Sequence, residues 1–307
     1  MYKVETTNGC YAIKKLNNKI MDTQDKIDDY NESERIANFV NNHGIKVSCA
    51  LKTSNGYISN INDNKYVIYK YLNGKVLDDD ITIDHCRKIG NLIARLHQLD
   101  YHELGYEEKL FKFTRPISFE ELVIDPRMDN MIYKDKLLNR YKDYQEIYNK
   151  ANESYNNITT YLTLCHNDIF QPNVLWENSE PILIDFETSK MGSPLRELAC
   201  TAIHFSGFDS NKFDEEKYKA VIEEYSKKIN INTDDYESIV YSELIWKIGW
   251  LRHCVQRSLG IKAINEQEII NDTKEVPKMI DQIDRYITLI PKLSNLFNEV
   301  LNSKKVL

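Results

Sequence analysis

The chain has 307 residues, of which 42% are apolar and 28% charged, and a formal charge of −7. That length suits one large domain or two closely joined ones, with enough apolar residues for a buried core. The acidic balance argues against a general nucleic-acid binder, which carries a basic surface, and no stretch nears the ~18 apolar residues of a membrane span.

Tyr2 to Thr6 and Tyr11 to Lys14 read as two strands of a hairpin, with Asn8-Gly9 supplying the tight turn. Residues 25 to 42 read as a helix, because Ile27, Tyr30, Ile36, Phe39 and Val40 can share a face, and His43-Gly44 ends it. Two further strands are expected at Tyr57-Ile-Ser and Tyr66 to Tyr71, before Asn73-Gly74 breaks the pattern. Beyond Gly74 the chain turns mainly helical. Helices are expected over 83–99, 135–158, 195–205, 214–229, 235–259 and 276–301, interrupted by short strands within 162–187. The sequence therefore predicts a small β-rich first part and a larger helical second part that carries the interrupting strands.

The first 74 residues are slightly basic and the rest acidic, which suits an anionic ligand on the first part and a cationic one on the second. The six cysteines lie far apart with no C-x-x-C pair, and several sit in apolar runs. They read as reduced thiols of a cytoplasmic protein, in keeping with an N-terminus that has no apolar signal region.

The run CHNDIFQPNVLWENSEPILIDFE, from Cys165 to Glu187, carries the chemistry. It holds His166, Asp168, Asn173 and then Asp185-Phe-Glu187 at the ends of apolar, strand-like stretches. Phosphoryl transfer needs one carboxylate to orient the acceptor hydroxyl and oxygen ligands to hold Mg²⁺ against the phosphates. Asp168, Asn173 and Asp185 have those types, and two adjacent strands with acidic ends would fix them on rigid elements. Mg²⁺ keeps several waters, so two protein ligands suffice.

CHNDIFQPNVLW, LIDFE and the following GSPLRELA make the chain similar to the aminoglycoside phosphotransferase and choline kinase family. These are small-molecule kinases with a protein-kinase-like fold, and the resemblance spans residues 2 to about 205. It implies an α+β, two-lobe architecture, with a nucleotide-binding lobe over 1–72 and a catalytic and substrate-binding lobe over 73–307. It also implies ATP or GTP with Mg²⁺ as cofactors, Asp168 as the catalytic residue, Asn173 and Asp185 as metal ligands, and His166 as a structural brace of the loop. Lys14 matches the lysine that contacts the α- and β-phosphates, with Glu34 on the next helix as its partner and Glu32 as the fallback. The segment 66–74 resembles the hinge, whose backbone at Tyr69 and Tyr71 would meet the adenine edge. His97 closes a family-like helix ending in Leu-His. Glu197 stands where the family usually has an Asp that braces the catalytic loop. The family's first strand and phosphate-covering loop are not found before Tyr2: either the start is assigned late or the fold tolerates the loss, and a chain that truly begins here is expected to bind nucleotide weakly and turn over slowly.

For the acceptor, Glu243, Trp246, Trp250, His253 and Arg257 recur at helical steps on one face, opposite Leu244, Ile248, Leu251 and Val255. Two Trp with an acid could hold a cation, and Glu187 could also face the acceptor. The sequence thus predicts a phosphotransferase acting on a hydroxyl of a small cationic molecule. An aminoglycoside-type antibiotic ranks slightly ahead of choline or ethanolamine, and a catalytically weak, spore-coat-like member is the rival class. No D-F-G to A-P-E segment follows Asp185, so protein kinase activity has no support.

Overall fold

In a computed structural model, residues 1–18, 21–54, 56–77, 80–107, 117–158, 162–261 and 263–303 are described. The chain forms two compact units, Met1–Lys109 with Tyr161–Ile231, and Leu110–Thr160 with Asn232–Leu307. This division differs from the expected 1–72 and 73–307: the catalytic run packs into the same unit as the N-terminal strands. The cause lies in backbone ties between segments distant in sequence, described below.

The first unit opens with β1 (Tyr2–Thr6) and β2 (Gly9–Lys15), joined antiparallel with Thr6 opposite Gly9. The turn is therefore Thr7-Asn8, and Gly9 opens β2 with a φ of 134° instead of sitting in the turn. Helix α1 (Gln24–Asn42) follows, then β3 (Ile58–Ile61) and β4 (Asn64–Lys70). The sheet order is β1-β2-β4-β3, which places β4 in the interior. Leu16, Met21, Tyr30, Ala50, Ile58 and Val67 close the core between sheet and helix.

After β4 the chain runs along β6 (Val174–Glu177), where Lys75 and Trp176 exchange backbone hydrogen bonds of 3.0 and 2.8 Å. Gly74 is required there: a Cβ would lie 2.7 Å from the Leu175 Cβ. Helix α2 (Ile83–His97) starts at a Thr82 cap whose hydroxyl accepts from the His85 N–H. It packs on α7 (Glu215–Tyr225), and Gly90 allows the approach, since a Cβ would meet the Val221 carbonyl oxygen at 2.3 Å. Strand β5 (Thr163–Cys165) pairs with β8 (Lys190–Gly192), and β6 pairs with β7 (Glu180–Leu183). The two strands expected to lie side by side thus belong to separate two-stranded sheets. Helix α6 (Pro194–Phe205) continues from β8, capped by Ser193.

The second unit is helical. The expected helix over 135–158 is broken into α4 (Lys134–Leu138) and α5 (Tyr141–Ile158) after a short α3 (Glu120–Val123). Arg140 stands at the break, its guanidinium on Asp284 and Asp143. The helix expected over 235–259 is likewise split into α8 (Tyr236–Tyr241) and α9 (Leu244–Ser258). The Ser242 hydroxyl donates to the Ile239 carbonyl at 2.7 Å, a local bond that competes with the helix ladder. Helix α10 (Glu266–Ser303) starts ten residues earlier than expected and runs through Pro277 and Pro291. Among the described residues no helix is long and apolar enough to cross a membrane.

Candidate active site

All site residues named for nucleotide, metal and chemistry lie in the first unit. Asp168 and Asn173 sit on the loop after β5, joined by a hydrogen bond from the Asn173 amide to Asp168 Oδ2 at 2.8 Å and to its carbonyl at 3.0 Å. With its nitrogen so committed, Asn173 keeps its side-chain oxygen for another partner. Asp185 follows β7. Its neighbour Ile184 donates its N–H to the Asn173 carbonyl at 3.0 Å, and His166 Nε2 donates to the Ile184 carbonyl at 3.1 Å. These two bonds replace the expected strand pairing in holding loop and acid together. A third tie reaches back to the chain after α1, where Ser48 donates to the Leu183 carbonyl at 2.8 Å.

Asn167 and Asp185 both adopt left-handed backbone, with φ of 65° and 64°. Asn and Asp tolerate it better than bulkier residues because their short side chains bond locally. Burial pushes the Asp168 carboxyl above its usual range, while the Asn173 amide pulls the other way. Burial also lowers the His166 imidazole, which packs edge-on against Phe186 with its Nδ1 buried and unpartnered. The ring thus ties the loop to the residue after β7.

Glu197 is fully buried on α6. It accepts from the Asn167 N–H through one oxygen and from His97 Nε2 at 2.6 Å through the other. His97 Nδ1 meets the Tyr225 hydroxyl at 2.9 Å, so α2, α6 and α7 converge on the loop that carries Asp168. Burial would raise the Glu197 carboxyl, but the bond and charge of His97 outweigh it and hold the group below its usual range. The buried Arg196 donates to Asn167 Oδ1 at 3.2 Å, and Thr188 donates to the His166 carbonyl at 2.9 Å. Sequence spacing had singled out none of Asn167, Thr188 and Arg196. Only their neighbourhood to the motif could have pointed to them.

The expected pairing of Lys14 with Glu34 is not made. Lys14 Nζ bonds Glu187 and lies 3.4 Å from Asp185 Oδ1. Glu34 is buried on α1 and accepts from the Tyr69 hydroxyl at 2.5 Å and the Ala50 N–H at 3.2 Å. Glu32, the fallback, is taken by Arg35 and the Tyr106 hydroxyl. Glu187, expected toward the acceptor, bonds Lys14. The hinge expectation also shifts. Tyr69 lies opposite Ala12 within the ladder and is bridged by Ala50 on the other side, and the Tyr71 N–H donates to the Cys10 carbonyl at 3.0 Å. Leu72 and Asn73, just beyond, have backbone groups without hydrogen-bond partners among the described residues.

The profile of the phosphotransferase enzyme family (APH) matches residues 1–228 of this chain. The chain belongs to that family. Solved structures with the same fold include spectinomycin phosphotransferase APH(9)-Ia with ADP and spectinomycin, at a TM-score of 0.65 and 14% identity over 92% of this chain and 88% of that one. Amicoumacin kinase hAmiN with AMP-PNP and Ca²⁺ is similar at 0.60 and 12%, covering 92% and 84%. The choline kinase LicA from Streptococcus pneumoniae is similar at 0.57 and 17%, covering 91% and 89%. No curated protein matches the sequence significantly. The protein-kinase-like α+β fold expected from the sequence is thus the observed one, and as a family member the chain is a small-molecule kinase.

In the second unit, Trp250 is half exposed on α9, stacked by His253 with ring centroids 5.1 Å apart, and the Arg257 guanidinium lies 5.4 Å from its ring. Arg257 is itself bonded to Asp272. Trp246 packs near Tyr155 at 5.9 Å. Glu243, expected on the same face, is buried at the start of α9 with Lys247 3.8 Å away. Trp250 therefore already has a cationic neighbour within its own chain.

Proposed function

We propose that the chain transfers the terminal phosphoryl group of ATP or GTP, with Mg²⁺, to a hydroxyl of a small amino-bearing acceptor. The observation that carries this reading is the joining of Asp168, Asn173 and Asp185 through the hydrogen bonds Asn173–Asp168 and Ile184–Asn173. Asp168 orients the hydroxyl and accepts its proton; a half-buried carboxylate with one oxygen held by Asn173 keeps the other for that contact. Asn173 and Asp185 fit a magnesium ion, since both offer hard oxygen atoms and the Asn173 amide nitrogen is turned away onto Asp168. Magnesium, when bound, neutralises phosphate charge. Lys14 is placed beside Asp185 to meet the phosphates, and the free backbone of Leu72 and Asn73 supports them as the base-contacting hinge in place of Tyr69 and Tyr71. His166 and Glu197 serve the loop's shape.

For the acceptor, an aminoglycoside-type antibiotic is favoured over choline. Two of the similar structures are antibiotic kinases. An aromatic cage for a quaternary ammonium needs open ring faces, whereas Trp250 carries Arg257 and His253 of its own helix. The test is a panel of aminoglycosides, spectinomycin, choline and ethanolamine, scored for nucleoside diphosphate release with ATP and with GTP. Release stimulated by an amino sugar and not by choline is the expected result. Stimulation by choline alone would reverse the ranking, and no stimulation by any acceptor would favour the catalytically weak class.

A further inference from the structure

We infer that Glu187, and not the helix residue Glu34, is the carboxylate that positions Lys14 for phosphate contact. The inference rests on the reading of Lys14 and Asp185 as a nucleotide site, and it assigns to Glu187 a role that the kinase pattern gives to a glutamate on the helix.

Three observations carry it. Lys14 Nζ bonds Glu187 directly and reaches Asp185 at 3.4 Å, whereas Glu34 makes no bond to it. One oxygen of Glu34 accepts from the Tyr69 hydroxyl and the other from the Ala50 N–H, and Tyr69 is in turn backed by the Tyr30 hydroxyl at 3.2 Å. Glu34 is thus built into the core between α1 and β4. Finally, α1 packs against the Phe186–Thr188 turn, so the element that would carry Glu34 to the lysine instead buttresses the element that carries Glu187.

The electrostatics agree. Burial raises the Glu34 carboxyl to about 7, which weakens its pull on an ammonium at neutral pH. Glu187 is therefore the anchor assigned to Lys14, with Asp185 beside it at 3.4 Å.

The test measures binding of AMP-PNP with Mg²⁺, and of adenosine alone, to the full chain. Lys14 meets phosphates and not the base, so losing its anchor must cost affinity selectively. Glu187→Gln is expected to weaken AMP-PNP about tenfold, the scale of one charge-assisted bond, and to leave adenosine unchanged. Lys14→Ala should do the same, and the double variant should be no worse than either single one, because the two side chains act as one unit. Glu187→Asp should recover part of the loss. Glu34→Gln should leave the ratio of the two affinities as in the wild type, whatever it does to stability. Unchanged or tighter AMP-PNP binding in Glu187→Gln overturns the inference, as does a phosphate-selective loss in Glu34→Gln. A wild-type chain that binds adenosine and AMP-PNP equally overturns the nucleotide-site reading as well, which separates the two failures.

Discussion

Asp168→Asn is expected to reduce phosphoryl transfer by about a hundredfold to ten-thousandfold while leaving nucleotide affinity within a few-fold of wild type. The substitution is nearly isosteric and keeps an oxygen for the Asn173 amide, whose bond to Asp168 Oδ2 is 2.8 Å. What it removes is the carboxylate proposed to accept the hydroxyl proton. Burial already raises the carboxyl above its usual range, which brings its basicity closer to the working pH. The loss should therefore fall on kcat, measured with whichever acceptor the panel yields, and not on the KM for nucleotide. A variant that keeps more than about a tenth of wild-type kcat would remove Asp168 from the proton's path.

The second large effect is on stability. Glu197→Ala is expected to destabilise the chain by about 3–5 kcal/mol, the usual cost of removing one member of a buried, hydrogen-bonded pair. Glu197 and His97 have side chains 2% and 1% exposed, so water cannot replace the lost bond. The substitution orphans His97 Nε2 and the Asn167 N–H at once. Glu197→Gln, whose single oxygen can still accept from the Asn167 N–H while its amide nitrogen faces His97, should cost less. The pH dependence has a definite sign. The folded-state carboxyl is held below its usual range, so its contribution is present above the ordinary glutamate range and fades as the pH falls through the depressed value. Urea unfolding at neutral pH measures the difference. A loss below about 1 kcal/mol would mean that the loop is held by Arg196 and Thr188 without the help of Glu197.

The sequence made the site's chemistry legible because oxygen ligands and their spacing are local. Asp168, Asn173 and Asp185 lie within one short run, and any fold that delivers two strand ends together must bring them close. Hairpin and helix signals were likewise local, so β1 to β4, α1, α2 and α6 lie close to where periodicity puts them. What periodicity could not reach was set by contacts from far along the chain. The breaks at Arg140 and Ser242 depend on Asp284 and on a serine back-bond. The start of α10 was hidden by Pro277, which the helix accommodates.

The partner of Lys14 differs from the expected one for the same reason. Glu34 lies at a suitable position on the suitable helix, but Tyr69 and Ala50 compete for it, and neither is near it in sequence. Tyr69, expected at the hinge, lies opposite Ala12 as part of the ladder. The helix expected to present two indoles to a cation carries its own arginine over one of them.

The central claim is that Asn173 and Asp185 jointly hold one divalent ion beside Asp168 when nucleotide is bound. Electron paramagnetic resonance of Mn²⁺ titrated into the chain with AMP-PNP tests it directly. The account predicts one tightly bound, nucleotide-dependent Mn²⁺ in the wild type, lost in both Asp185→Ala and Asn173→Ala. Bound Mn²⁺ that survives either substitution undiminished would contradict it.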